Sequence, residues 1–443
     1  MLIFCLYAAC LLGLGVLDAR RSRGALAFFV NGRSSGALHT GFSIMASCIG
    51  GSATIGMAGL AWQVGAPAFW WLGSGACGLV LLTLFLARKV RASEAYTMPE
   101  MVSARLGPGA RRLVSFIIVP AWLAILAAQF TAMGKLTVAL TGFSPEWSLF
   151  VGAAVIVGYS CLGGQSSVIR SDLPQCLLLL AGLLAAALWL WGHNPEPLQA
   201  LRPEAVNESF GLSRLSYFLL ILGGSYVVCP MLFGRVLSAR DTGSAVRGSR
   251  RAVARLPAFA ALIVSLGVLC RGFVPEGTGA DDVLSSAMAL LPPWAGMLLL
   301  VALLSAVLSS ADSCIITAST VLCNDILGRR SVGLCRAVTL AFGLCGLVLA
   351  ARGHGILDLL LMANDIYVCG VVVPVFLAMM MKKGAVRHDF ALAAMAAGGA
   401  CGLVSAVSGT PEFGYAGMLL AALAMLCGRV LPPSCRSVCS AAS

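Results

Sequence analysis

The most chemically suggestive stretch is an apolar run broken by alcohols: Ala306-Val307-Leu308-Ser309-Ser310-Ala311-Asp312-Ser313, then Thr317, Ser319 and Thr320. On a helix, hydroxyls at successive and i+3/i+4 positions cover one broad face. Facing lipid they would gain nothing, so that face is expected to look inward. Two roles suit it. One is close helix packing through small residues, which bilayers favour. The other is a site for a hard monovalent cation, sodium, which seeks several neutral oxygens. Ser309 and Ser310 offer two, and an interrupted helix would offer carbonyls. Two Gly-Gly-Ser tripeptides, Gly50-Gly51-Ser52 and Gly223-Gly224-Ser225, fall inside apolar stretches at matching places in two halves of the chain. Backbone unwound at such points faces a cavity instead of lipid. The carbonyls of Ala46 and Ile49, just ahead of the first pair, complete the oxygen set.

Carboxylates are the other unusual groups. Asp365, beside Asn364, lies well inside an apolar stretch. At that depth it costs several kcal/mol unless paired or hydrated. Binding a cationic group, carrying a proton, sodium coupling and a structural hydrogen bond to helix ends all remain open for it. Asp312, one turn beyond the ion serines, reads as an ion-exit or gating group. Lys135 is expected to snorkel to an outer interface, and Trp62, Trp70 and Trp71 to form part of an outer aromatic belt. His39, His193, His354 and His388 form no cluster, and no nucleophile–base set or Walker motif is present. An enzyme is therefore not expected, nor a cofactor beyond a coupling ion. Most of the 17 cysteines sit in apolar stretches without CxxC or Cys/His spacing and read as small packing residues. Cys435 and Cys439 in the tail are candidates for lipidation.

The elements that must hold these groups are membrane helices. The chain is 59% hydrophobic and 11% charged, where soluble domains carry about 25% charged residues. About 13 spans of roughly 20 residues can be placed, so the expected fold is all-α integral membrane, a single transporter domain over residues 1–443. It divides into a leading helix (1–18), a first repeat (38–192), a second repeat (213–382) and trailing helices (388–432). The first and sixth helices of the five-plus-five core would be the broken ones. Thr97-Met98-Pro99-Glu100 reads as the start of a short surface helix, and Asp281–Leu291 as a short external amphipathic helix. The net charge of +12 does not signal nucleic acid, because the basic clusters recur in alternate loops: Arg20–Arg23, Arg88–Arg112, Arg247–Arg251, Arg329–Arg330 and Lys382–Arg387. The positive-inside rule then expects an N-terminus outside and a C-terminus in the cytoplasm of a cell-membrane protein.

Several short motifs in order resemble the solute:sodium symporter family, whose members share a leucine-transporter-like inverted-repeat fold. They are Phe29-Val30-Asn31-Gly32-Arg33, Ile49–Gly59, Tyr159–Gly164 with Val168–Asp172, Pro230–Arg235, and Leu308–Ser313 running to Asp325. The resemblance spans about Phe28 to Met381. It implies a sodium site at the carbonyls of Ala46, Ile49 and Ala306 and the hydroxyls of Ser309 and Ser310. It also implies an ion-path or second-sodium role for Asp172, expected at the cytoplasmic end of the fifth core helix; a helix-capping role stays open. The implied solute pocket lies between the first, third, sixth, eighth and tenth core helices, with Ser52, Ala53, Gln129, Ser225, Tyr226 and Asn364 as candidates, joined by Asp365. The Ser52-Ala53 pair departs from the acidic or amide residues of sugar-transporting relatives, which argues against a polyhydroxylated sugar.

The reading that unites these features is a sodium-coupled secondary symporter importing a small organic solute by alternating access. A proton-coupled transporter would make Asp365 or Asp312 decisive instead, and a transporter-like sensor is a third reading. Expected partners are sodium, the solute and the lipid bilayer, with no nucleic acid, in a monomer or weak homo-oligomer.

Overall fold

The computed structural model describes residues 24–353 and 355–430, together with 7, 9, 12, 13 and 15–17. The leading segment falls largely, and His354 and the tail cysteines wholly, outside the described residues. Among those described, the chain is helical with two isolated β-bridges and no strand. The principal helices are α1 (Ala37–Cys48), α2 (Ser52–Val64), α3 (Ala66–Ala92), α4 (Met98–Thr141) and α5 (Pro145–His193). Then come α6 (212–227), α7 (Pro230–Leu237), α8 (Thr242–Leu269), α9 (Val283–Leu290) and α10 (Pro293–Ile326). Last are α11 (Val332–Ala350), α12 (356–380), α13 (His388–Ser408) and α14 (Pro411–Val430).

Among the described residues, ten helices are long and apolar enough to cross a membrane, or 11 counting the bent α1–α2 pair. The 49 residues of α5 would measure about 73 Å at 1.5 Å per residue. That is more than twice the roughly 30 Å of a hydrocarbon core, so α5 must be two crossings. It turns at Gly164 (φ 60°, ψ −160°), where only glycine fits easily: a Cβ there would strike the Phe28 ring. Twelve crossings follow from the described residues; the count of 13 rests on the leading segment outside them.

α4 begins as the expected surface helix. Thr97 caps it by accepting from the Glu100 backbone N–H at 3.2 Å, and the Glu100 carboxylate accepts from the Tyr96 N–H at 3.0 Å. The helix turns at Gly107 before crossing. The short helix expected before α10 is also present, as α9. Burial shows how the helices are arranged. In α10, 94% of the most apolar window is buried, against 28–33% in α11, α13 and α14. α10 is the central helix, packed on α4, α5 and α1, while α11, α13 and α14 lie at the periphery.

Two expectations are corrected. Trp71 is no belt residue: it is 1% exposed and edge-on to Phe218. Lys135, for its part, meets Asp282 at 2.7 Å and Asp281 at 3.9 Å just before α9. The second correction concerns the second glycine pair. Gly223 and Gly224 are helical, and the chain leaves helical geometry at Val228 (φ −126°, ψ 83°) and Cys229 (φ −116°, ψ 121°). Pro230 explains the shift, since the residue before proline is driven out of the α region. The glycines serve packing: a Cβ on Gly223 would stand 2.7 Å from the Ser74 carbonyl oxygen, and one on Gly78 would overlap the Gly223 carbonyl oxygen.

Gly78→Ala is therefore expected to destabilise the α3–α6 contact by about 1–3 kcal/mol or more. Gly399→Ala, whose Cβ would make ordinary contacts with Ile117 at 3.5 Å and the Gly370 Cα at 3.8 Å, should be near neutral. Thermal unfolding of the two purified variants in detergent checks the contrast.

Candidate ion and solute site

The first glycine pair does interrupt its helix. α1 ends at Cys48, Ile49 takes φ −109° and ψ 72°, and α2 resumes at an angle of 65°. Ile49 thereby turns its carbonyl off the helix axis. The Gly51 N–H is met by the Gln129 side-chain oxygen from α4 at 2.9 Å, so the break is not left bare. Gly50 lies so close to α10 that a Cβ on it would stand 2.5 Å from the Ser310 hydroxyl oxygen. The Ser310 hydroxyl donates to the Ala46 carbonyl at 3.2 Å, joining two members of the expected oxygen set. Ser309 turns the other way and donates to Asp172 at 2.6 Å. With its proton committed there, its lone pairs are free to face a cation.

Around this point the structure gathers charge in a dry place. Asp172 and Asp312 are 0% exposed and Arg235 is 1% exposed. Asp172 accepts from Ser43 on Oδ2 and from Ser309 on Oδ1, and an Arg235 nitrogen lies 3.8 Å from the same Oδ2. Arg235 also donates to Ser313 and, at 3.2 Å, to Ser47. One Asp312 oxygen is 3.3 Å from the Ser313 hydroxyl, and the other is buried without a hydrogen-bond partner among the described residues. Helix capping does not describe Asp172: it lies two turns beyond the Gly164 bend, inside α5 and fully buried.

Beside these groups lies a cavity between the broken helices. Ser52, Gln129, Ser225, Tyr226 and Asn364 line it, together with Ser310, Gly50 and the apolar Trp122, Ile125, Leu222 and Leu360. No charged side chain lines it. Two of the expected pocket residues stand elsewhere. Ala53 is buried in α2 away from the lining. Asp365 turns from the cavity and accepts from the Tyr217 hydroxyl at 3.0 Å, with α13 packed against its backbone. Helical spacing accounts for the split, because Asn364 and its neighbour point about 100° apart.

On the basic face, polar contacts tie the cytoplasm-expected ends together. Asp325, ending α10, accepts from Arg111 at 2.8 Å and Thr97 at 3.0 Å. Arg330 reaches Glu100 at 2.7 Å and Asn324 at 2.8 Å. The start of α1 is joined to the end of α7 by backbone bonds between Ser35 and both Ser238 (3.1 Å) and Arg240 (2.9 Å).

Sequence reasoning had assigned no role to Ser43, Ser47, Arg235 or Trp122. Arg235 carried a readable signal, a charge within an apolar stretch. The two serines, at i and i+4 on α1, gave none, because such pairs are common packing residues in membrane helices.

Residues 28–191 match the family model described as the Sodium:solute symporter family. The sodium/proline symporter of Salmonella typhimurium is 23% identical over 80% of this chain and 77% of its own. The human High affinity choline transporter 1 is 25% identical over 81% of this chain and 67% of its own. Among solved structures, a substrate-bound, outward-open Na+-coupled sialic acid symporter shares the fold, with a TM-score of 0.81, 17% identity and coverage of 96% of both chains. The interrupted helix and the alcohol-rich partner face agree with these likenesses, which relate residues 28–191 to the sodium:solute symporter family and the whole chain to the fold of a Na+-coupled symporter.

Proposed function

We propose that the chain is a sodium-coupled symporter that imports a small organic solute by alternating access. Sodium takes the carbonyls of Ala46, Ile49 and Ala306 and the hydroxyls of Ser309 and Ser310. The solute takes the cavity lined by Ser52, Gln129, Ser225, Tyr226 and Asn364. The observation that carries this reading is the double position of Ser310: it touches the Ala46 carbonyl and also lines the cavity. An ion held there braces α1 against α10, and the same brace forms one wall of the solute pocket. Each ligand then favours the arrangement that suits the other, which is the coupling a symporter needs. Asp172 and Asp312 lie behind the ion serines, toward α7, on the side that supports an ion path.

The lining narrows the cargo. With no charged side chain in it, a solute of uncompensated net charge would enter without a partner, which is costly in a low-dielectric site. The mix of amide and alcohol groups with Trp122 and Tyr226 suits a compact neutral or zwitterionic solute with an apolar body. The named relatives are described as carrying proline and choline. Asp365, bound to Tyr217 outside the cavity, is assigned a structural role between α6, α12 and α13.

Ser309→Ala and Ser310→Ala each remove a ligand oxygen, and each should raise the sodium concentration for half-maximal uptake on the order of tenfold. Proteoliposomes with imposed sodium or proton gradients, tested against amino acids, organic acids, vitamins and sugars, provide the measurement. Uptake that follows a pH gradient and ignores sodium would overturn the reading in favour of proton coupling.

Cysteine labelling tests the cavity assignment. In a background with Cys48 and Cys229 replaced by serine, Asn364→Cys should react with a small thiol reagent on the order of tenfold faster than Asp365→Cys or Ala53→Cys. Solute should protect it. Mass spectrometry of the labelled protein reads both effects.

A further inference from the structure

Arg235 occupies an uncommon position. It stands on the half-helix α7, in the dry interior, where membrane helices rarely carry charge without a functional reason. Its guanidinium reaches three other elements. It donates to Ser47 on α1 and Ser313 on α10, and it lies 3.8 Å from Asp172 on α5. Two of these, α1 and α10, supply the candidate sodium oxygens, and Asp172 on α5 orients Ser309. The contact with Asp172 is an ion-pair distance without a direct hydrogen bond. Asp172 gives its oxygens to Ser43 and Ser309 instead. Arg235 thus sits beside the carboxylate and leaves its outer face to others.

The group count is equally specific. Asp172 and Asp312 bring two carboxyl groups and Arg235 one guanidinium. No second cationic side chain acts on either carboxyl group among the described residues. With both carboxyl groups ionised, the cluster is short of one monovalent positive charge, the charge a sodium ion would bring. In a medium of low dielectric, a fixed guanidinium a few ångströms from an incoming cation weakens its binding substantially.

We propose that Arg235 is a positioning residue of the sodium site, a tethered cation that sets how tightly sodium is held and transmits its presence to α7. This rests on the sodium-site reading above. Sodium entering beside Asp172 draws that carboxylate toward itself and repels the guanidinium. The load falls on α7, the lower half of the second broken helix, whose end is joined by backbone bonds to the start of α1. Arg235 therefore keeps sodium releasable and makes its release felt by a moving part. A lysine would keep the charge but lose the fork that reaches Ser47, Ser313 and Asp172 together.

The test is sodium binding to the purified full chain in lipid nanodiscs, without solute, at constant ionic strength balanced with N-methylglucamine chloride. Tryptophan fluorescence and thermal unfolding serve as readouts. Arg235→Gln should lower the half-saturating sodium concentration on the order of tenfold, and Arg235→Lys should stay within about threefold of the unaltered chain. Arg235→Met, which keeps the stem and removes the charge, repeats the test if the glutamine variant does not fold. A charge-removed variant that binds sodium no more tightly than the parent overturns the proposal. So does a variant that merely unfolds at lower temperature at every sodium concentration with an unmoved midpoint. A parent chain with no sodium response at all overturns the sodium site itself, and this inference with it, which separates the two failures.

Discussion

Backbone amides cannot stand unpaired in hydrocarbon, and the rest of this structure follows from how one break in a helix is made tolerable. Between Cys48 and Ser52 the chain leaves helical geometry at mid-span. The break persists because α4 supplies the Gln129 oxygen to the Gly51 N–H and α10 brings Ser310 to the Ala46 carbonyl. Both approaches need glycine. A side chain at Gly50 would collide with Ser310, and one at Gly51 with Ala132 at 2.6 Å. The backbone therefore gains polar partners only by being bare enough for neighbouring helices to reach it.

Electrostatics divides the interior into two zones. On one side of Ser310 lie two carboxylates and a guanidinium without exposure to solvent, bound by a ring of serines. On the other lies a cavity with amide, alcohol and aromatic walls and no charge. A cation belongs in the first zone and an uncharged or internally balanced solute in the second. Because Ser310 on α10 and Ser47 on α1 both line the cavity, and Ser47 also accepts from Arg235, motion of α10 relative to α1 is bound to alter the two together. The glycine contacts between α3 and α6 set how closely the second broken helix approaches from the far side.

Much of the fold was legible because the bilayer is a severe solvent. Span lengths, basic loops and an alcohol-bearing helix face all follow from the cost of polarity in lipid, and α1–α2, α9, α10 and the Thr97-capped start of α4 lie where that logic puts them. The glycine pairs show its limit. Both read as breaks, yet only the first is one. At the second, Pro230 moves the unwinding past Tyr226, and the glycines serve helix contact instead. A glycine permits both uses, and its own sequence neighbourhood does not say which neighbour will arrive.

The site divides in the same way. Ser309 and Ser310 could be singled out from type and spacing, because polar groups in apolar helices must face something polar; Gln129, Ser225, Tyr226 and Asn364 are reached only through the family resemblance. The amino-acid order alone determined the membrane helices, the first interruption and the alcohol face that meets it, since each depends on local spacing and the cost of polarity in lipid. Only the tertiary structure decided that Asp365 turns to Tyr217 and away from the cavity, that Asp172 is buried against Ser309, and that Arg235 joins them from a distant helix. Those outcomes depend on which residues far apart in the chain come within a few ångströms, and Coulombic and hydrogen-bond partners at that range are set by packing, not by spacing along one helix.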